Sequence, residues 1–272
     1  MSVVSVSTGI DVYYEWHGDG EGTPVVFIRG TGGDSSRWLP QAEAYRLRYR
    51  CLLFDNRGSG KSSSPPGPYT VEMMAKDTIG LLDALGVERA HISGMSLGGA
   101  VAQHLAIHNP ERVATLQLHG TWAKTRGYAS AYLSLLKKFL ECGGLDLYYE
   151  AAILYLFPPQ FFIDHFDRVE TILASMKANS SPLEGLKGQL EANLSHDLLG
   201  QVSSISAPTL ITVGELDMCI PVQYSRELHE AIPGSQLEVF AGGSHLFGLQ
   251  DPDTFNRVTL AWLNGQLAAG HV

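Results

Sequence analysis

Apolar positions recur along the chain with two periods, and their order predicts the elements. Val3 to Ser7 and Asp11 to Trp16 read as two strands around a Thr8-Gly9 turn, a starting hairpin. Pro24 to Ile28 is a continuous apolar run, the pattern of a strand buried on both faces, and Arg50 to Phe54 repeats it. Ala90 to Gly94 and Val113 to Leu118 add two more strands. Helical stretches separate them: Ser36 to Leu47, Thr70 to Leu85 stopping at Gly86, and Leu97 to His108 ended by Asn109-Pro110. Past Gly120 the pattern changes. Trp122 to about Gly200 shows no clear strand, only helical stretches broken at Gly143-Gly144, Pro158-Pro159 and Pro182. Alternation then resumes, with strands at Thr209 to Val213 and Gln236 to Phe240 and helices at Pro221 to Ala231 and Asp251 to Leu267.

Alternating strand and helix units predict an α/β fold with a mostly parallel central sheet and helices on both faces. The helical block, residues 122–200, is expected to be a cap inserted after the sixth strand. It would sit at the carboxyl ends of the strands, where such sheets bind ligands. Residues 1–121 and 201–272 would form the core domain. The length, 272 residues, suits one large domain with an insertion, and 44% hydrophobic against 17% charged residues supports a substantial core.

The net charge of −9 disfavours a nucleic acid or an anionic membrane as partner, since both need a basic footprint. Cys51, Cys142 and Cys219 are odd in number and far apart, which fits a reduced, cytoplasmic setting. The first residues lack the basic head and apolar run of a signal peptide, and no segment is apolar enough to span a bilayer.

Several glycine and histidine patterns fail on inspection. From Gly30, a G-x-G-x-x-G would need glycine at position 35, which is Ser35. The "GSGKSS" at Gly58 to Ser63 lacks the first glycine of a phosphate loop, where Asp55 stands, and Pro65, Pro66 and Pro68 block the helix that should follow. His104 and His108 have zinc-pair spacing, but Leu105 replaces the glutamate of H-E-x-x-H. Neither a cofactor nor a metal is expected.

Gly94-Met95-Ser96-Leu97-Gly98 is a G-x-S-x-G at the point where a buried strand ends and a helix begins. A serine at that sharp turn is held strained, with its Oγ above the sheet edge. The hydroxyl needs a base to take its proton. Of ten histidines, His245 fits best, because "AGGSHLF" follows the last strand and precedes the final helix. The imidazole in turn needs a carboxylate. "ITVGELDMCIP" offers Asp217, with Glu215 as competitor; Asp217 lies further past the strand end, within reach of His245. The chain order Ser96, Asp217, His245 is that of the α/β-hydrolase triad.

Over nearly its whole length the chain resembles an α/β-hydrolase fold serine hydrolase. The stretches "FDNRGSGKSSSPPGPYT" and "LLDALGVERAHISGMSLGGAVAQHLAIHNPERV" are especially similar to the 3-oxoadipate enol-lactonase-like esterases and lactonases. The resemblance implies a cofactor-independent hydrolase with a helical cap over its active site. It also implies that the Asp55 to Gly60 turn is structural, with Arg57 inside it. The two amides facing the transient oxyanion would belong to Leu97, after the nucleophile, and Thr31, in the loop after Val25 to Ile28.

Arg29 departs from the pattern, since relatives carry a histidine before the glycine here. It reads either as a structural partner for a loop carboxylate or carbonyl, or as an anchor for an acidic substrate. Most cap aromatics should pack as core. Trp122 is the best candidate to line a pocket over Ser96. His119, at the same edge, reads as a satisfied structural histidine or as a pocket residue, and Trp38 as a border of the entrance or as core. The expected substrate is a small carboxylic ester or lactone. Carbon–carbon bond hydrolysis of a diketone-like compound uses the same three residues, and a non-catalytic receptor on this fold keeps them too.

Overall fold

The computed structural model describes residues 2–270. In chain order the elements are β1 (Ser2–Ser5), β2 (Asp11–His17), β3 (Val25–Ile28), α1 (Leu39–Tyr45), β4 (Cys51–Phe54), α2 (Val71–Ala84), β5 (Ala90–Met95), α3 (Leu97–His108) and β6 (Val113–His119). Four helices follow: α4 (Gly127–Leu156), α5 (Pro159–Asp164), α6 (Phe166–Ala178) and α7 (Leu183–Ser195). The chain then completes the sheet with β7 (Thr209–Gly214), α8 (Val222–Ala231), β8 (Gln236–Phe240), α9 (Phe247–Gln250) and α10 (Pro252–Ala268).

The eight strands run in the order β1-β2-β4-β3-β5-β6-β7-β8. β1 pairs antiparallel with β2 and β2 with β4; every later pairing is parallel. The apolar runs form central strands because both of their faces are covered. On β3, Val26 and Ile28 join the core under α2, α3 and α8, while Val25 and Phe27 point the other way, to Trp38, Tyr45 and Phe255. On β4, Leu52 and Phe54 face the first core and Cys51 and Leu53 the second. This is the two-residue side-chain period of a strand. Each such fully buried large side chain contributes about 1.5–3 kcal/mol relative to exposure.

The strand order also places the site. From β3 the chain moves outward to β4 on one side, and from β5 it moves outward to β6, β7 and β8 on the other. The direction of winding therefore reverses between β3 and β5, which are neighbours with Ile28 opposite Gly94. At such a switch point the two following loops diverge and leave a crevice at the carboxyl ends. Here those loops begin with Arg29-Gly30-Thr31 and with Ser96.

Between β6 and β7 the chain is helical, as the loss of strand pattern predicts. The Gly143-Gly144 break is a kink rather than a loop: Gly144 (φ 67°, ψ −159°) interrupts the helical geometry inside α4. The stretch predicted from Ser36 begins as a short 3-10 turn, Ser35–Trp38, capped by Asp34, before α1 starts at Leu39-Pro40. No helix among the described residues is long and apolar enough to cross a membrane.

Candidate active site

Ser96 sits at φ 54°, ψ −121°, and is the one non-glycine residue with positive φ among the described residues. A serine in that region is strained by about 1–3 kcal/mol, held by over-determined surroundings. The surroundings are visible. The Ser96 amide donates to the His119 carbonyl at 2.9 Å, and the Thr121 hydroxyl donates to the Ser96 carbonyl at 2.8 Å. Close packing explains the flanking glycines. A Cβ at Gly98 would collide with the Ile28 carbonyl oxygen, and one at Gly94 with the Gly98 carbonyl oxygen.

The residue opposite is Gly30. A Cβ there would lie 2.9 Å from the Ser96 Cβ and 3.5 Å from its Oγ, so the loop after β3 passes directly beside the hydroxyl. The Thr31 and Leu97 amides donate to no protein acceptor among the described residues. For Leu97 this follows from its place at the start of α3, where the first N–H groups have no partner within the helix.

Asp217 and His245 come from the loops after β7 and β8, yet they meet over the end of β6. A Cβ at Gly120, the residue after β6, would lie 3.2 Å from Asp217 Oδ2 and 3.4 Å from His245 Nδ1. The bare glycine gives this pair its space beside the end of β5. Asp217 Oδ2 and His245 Nδ1 are 2.7 Å apart, both side chains nearly sealed from solvent. The other oxygen, Oδ1, accepts from the Cys219 amide at 2.9 Å and the Ile220 amide at 2.8 Å. Glu215 is turned away, accepting from the Gly242 amide at 3.0 Å.

Ser96 and His245 face one cavity of about 800 Å3, mouth included, that also exposes Arg29, Thr31 and Trp122. No hydrogen bond joins Ser96 Oγ to the imidazole. Trp122 lines the cavity from its own side, with Tyr132, Tyr148 and Leu136 of α4 beyond it. Trp38 and His119 do not. They border a smaller adjoining space with Arg29, Met95 and Leu246. His119 is turned into the sheet, its Nε2 3.0 Å from the Ser93 hydroxyl and its Nδ1 2.6 Å from the Thr212 hydroxyl. Burial lowers its pKa to about 3, so it is neutral.

Arg29 is buried without a carboxylate. Its Nη1 reaches the Met95 sulfur at 2.9 Å and its guanidinium lies 5.7 Å from the centre of the Trp38 ring. Burial, with the neighbouring charge of Arg37, pulls its pKa down to about 9, which leaves it cationic at neutral pH. Arg57, by contrast, is clamped by both oxygens of Asp77 in a buried ion pair.

Asp217, Cys219 and His245 each bring one donor atom within 4.8 Å of the others, the one such group among the described residues. Burial and the Asp217 charge push the Cys219 thiol well above its ordinary range, which disfavours the thiolate a metal would need.

Two contacts to the loop beside Ser96 escape the sequence pattern. Gln189 and Asn193 of α7 are fully buried and reach the loop beside Ser96: Gln189 Oε1 accepts from the Gly32 amide, and Asn193 Nδ2 donates to the Thr31 hydroxyl, both at 2.8 Å. Their signal is a stripe of small residues on the same helix. A Cβ at Gly188 would lie 2.6 Å from the Tyr69 ring, and one at Gly185 would meet the Gly58 backbone.

Known proteins share this arrangement of elements. The α/β hydrolase fold family matches residues 23–140. A relative from Azorhizobium caulinodans, named as the carbamate hydrolase RutD, is 33% identical over 93% of this chain and 94% of its own. Among solved structures, a hydrolase from Pseudomonas aeruginosa superposes with a TM-score of 0.88 at 31% identity, over 96% of this chain and 97% of its own. The enol-lactonase from Burkholderia xenovorans does so with a TM-score of 0.87 at 26% identity, over 97% and 100%. By sequence along nearly its full length and by the order and direction of its strands, the chain belongs to the α/β hydrolase fold family.

Proposed function

We propose that the protein is a serine hydrolase that cleaves a small carboxylic ester or lactone, with Ser96 as nucleophile, His245 as base and Asp217 as its carboxylate partner. The observation that carries this reading is the buried 2.7 Å bond between Asp217 and His245 at the cavity where the strained Ser96 opens. Asp217 holds the proton on Nδ1, which leaves Nε2 free to accept one. Ser96 Oγ attacks the carbonyl carbon while its proton passes to Nε2, and the carbonyl electron pair moves onto oxygen. The Thr31 and Leu97 amides would receive that oxyanion; one such donor is worth about 100- to 1000-fold in turnover. Collapse expels the alkoxide, which takes the proton from His245. Water, deprotonated by His245, then splits the acyl-serine. The serine–imidazole hydrogen bond tightens when substrate enters, a usual difference between free and occupied sites. Residues 122–200 act as the cap over this reaction, and residues 1–121 and 201–272 as the core.

A carbamate is the second reading, favoured by the relative's name and its 93% coverage of this chain. The same attack on a carbamate carbonyl expels an amine or alcohol instead of an ester's alcohol alone.

A fluorophosphonate probe tests the mechanism. It should label the wild-type protein at Ser96 and leave Ser96→Ala unlabelled. A folded wild type that stays unlabelled would favour a non-catalytic receptor. A panel of p-nitrophenyl esters, lactones, carbamates and ring-cleavage diketones then ranks the substrate classes.

A further inference from the structure

We propose that Arg29 and Arg37 form an anion subsite in the cavity of Ser96, so that the substrate is an ester, lactone or carbamate bearing a carboxylate. The inference deepens the serine hydrolase reading and rests on it.

The first observation is the missing partner. Arg29 is 7% exposed, and among the described residues neither a carboxylate nor a carbonyl accepts from its side chain. Its contacts are a thioether and an aromatic face, both weak acceptors. A guanidinium carries five N–H donors, and the Met95 sulfur takes only one of them, which leaves the charge without an anionic or carbonyl partner. A purely structural arginine would be expected to end on an acceptor, as Arg57 does on Asp77.

The second observation is the charge of the lining. Arg29 and Arg37 both face the cavity, and no aspartate or glutamate side chain lines it. Arg37 has no ion pair among the described residues either. Asp34 is near enough to favour the Arg29 charge, but its carboxylate is turned to the Ser36 amide and hydroxyl. The remaining wall is mostly apolar, including Leu133, Leu136 and Ile220, so an anion bound there is shielded from water.

The third observation is the loop that accommodates the cation. A Cβ at Gly33 would lie 2.7 Å from Arg29 Cγ and 2.9 Å from its Nε. The glycine lets the loop fold over the side chain instead of displacing it. The same loop brings Gly30 against Ser96, and the guanidinium touches Met95, the residue before the nucleophile. The anion would therefore sit a short spacer from the reacting carbonyl. Carboxylates match the planar fork of arginine in two parallel hydrogen bonds.

The test compares monoethyl succinate and monoethyl glutarate with the neutral ethyl pentanoate by titrating released acid at constant pH. The wild type should favour the anionic esters in kcat/KM. In Arg29→Met the ratio of anionic to neutral kcat/KM should fall by about 10- to 100-fold, carried by KM, which is the usual weight of a charge-assisted bond. Arg37→Met should lower the same ratio less. Binding of monoethyl succinate to Ser96→Ala by calorimetry reads the subsite without chemistry, and it should weaken by a similar factor when Arg29→Met is added. Equal loss on neutral and anionic esters, or unchanged binding in the Ser96→Ala background, overturns the subsite. Should Arg29→Met not fold, Arg29→Lys and Arg37→Met carry the comparison, and an unchanged ratio in both overturns it. Failure of fluorophosphonate labelling, with the calorimetric difference intact, would instead reject the hydrolase reading and keep the anion site.

Discussion

Gln189 accepts a hydrogen bond from the Gly32 amide while its own Nε2 donates to the Arg57 carbonyl at 2.7 Å and the Ser59 hydroxyl at 2.8 Å. One side chain of α7 thus ties together the loop after β3 and the loop after β4. Asn193, one turn later, holds the Thr31 hydroxyl. The helix that covers the site also fixes the loop that would offer an amide to the oxyanion. Gln189→Leu should lower kcat by roughly 10- to 100-fold with a smaller change in KM, because a small displacement of a reacting group is that costly. It should also lower the melting temperature, since the buried Arg57 carbonyl loses a partner at about 1–3 kcal/mol and the half-buried Gly32 amide loses one as well. A variant that melts earlier but turns over each substrate at the wild-type kcat would make Gln189 a packing residue only.

The Asp217–His245 bond makes a sharper demand on chemistry than on shape. Both oxygens of Asp217 are occupied as acceptors, Oδ1 by two backbone amides and Oδ2 by the imidazole. In Asp217→Asn the amides keep the oxygen, and the new NH2 group must face Nδ1. It can only donate, so the ring proton is driven to Nε2, the nitrogen that accepts from Ser96 in the proposed mechanism. The variant should fold and lose about 10,000-fold in kcat, the size of the effect when a triad histidine is held in the wrong tautomer. Retention of more than a tenth of wild-type turnover would mean that Asp217 does not set the tautomer.

The sheet and the position of Ser96 were legible because they depend on local pattern. The apolar runs at β3 and β4 are buried on both faces, and α3 spans Leu97–His108, as the periodicity and the Asn109-Pro110 stop predict. Helix ends shifted where local geometry intervened, as in the 3-10 turn at Ser35–Trp38. The roles of Gln189 and Asn193 were not legible. Polar residues four apart on a helix look like a solvent face, and only the tertiary approach of α7 to the Gly58 loop buries them. His119 and Trp38 show the converse limit. Both lie at the crevice edge in the chain, but side-chain direction takes them under the site, His119 onto Ser93 and Thr212 and Trp38 against Phe27.

Four histidines, three of them buried and His104 half-buried, make stability depend on pH. Burial pulls His119 down to about 3, and His91, His104 and His196 to about 4, from an ordinary value of 6.5. In the unfolded chain these rings gain protons as pH falls through about 6.5, while the folded protein resists protonation until about 4 or below. The unfolded state then binds more protons, so their contribution is fully present above pH 6.5 and is lost progressively as pH falls towards the folded values. Each histidine contributes a slope of up to about 1.4 kcal/mol per pH unit in that window. Urea denaturation at pH 7, 6 and 5 should show the unfolding free energy falling at each step. The ring signals of His119 should show no titration in NMR spectra of the folded protein above pH 5. His196→Asn should flatten the pH dependence by removing one of the four groups, even where it lowers stability at pH 7. An unfolding free energy that stays level from pH 7 to pH 5 would mean that these rings are solvated enough to take protons in the native state.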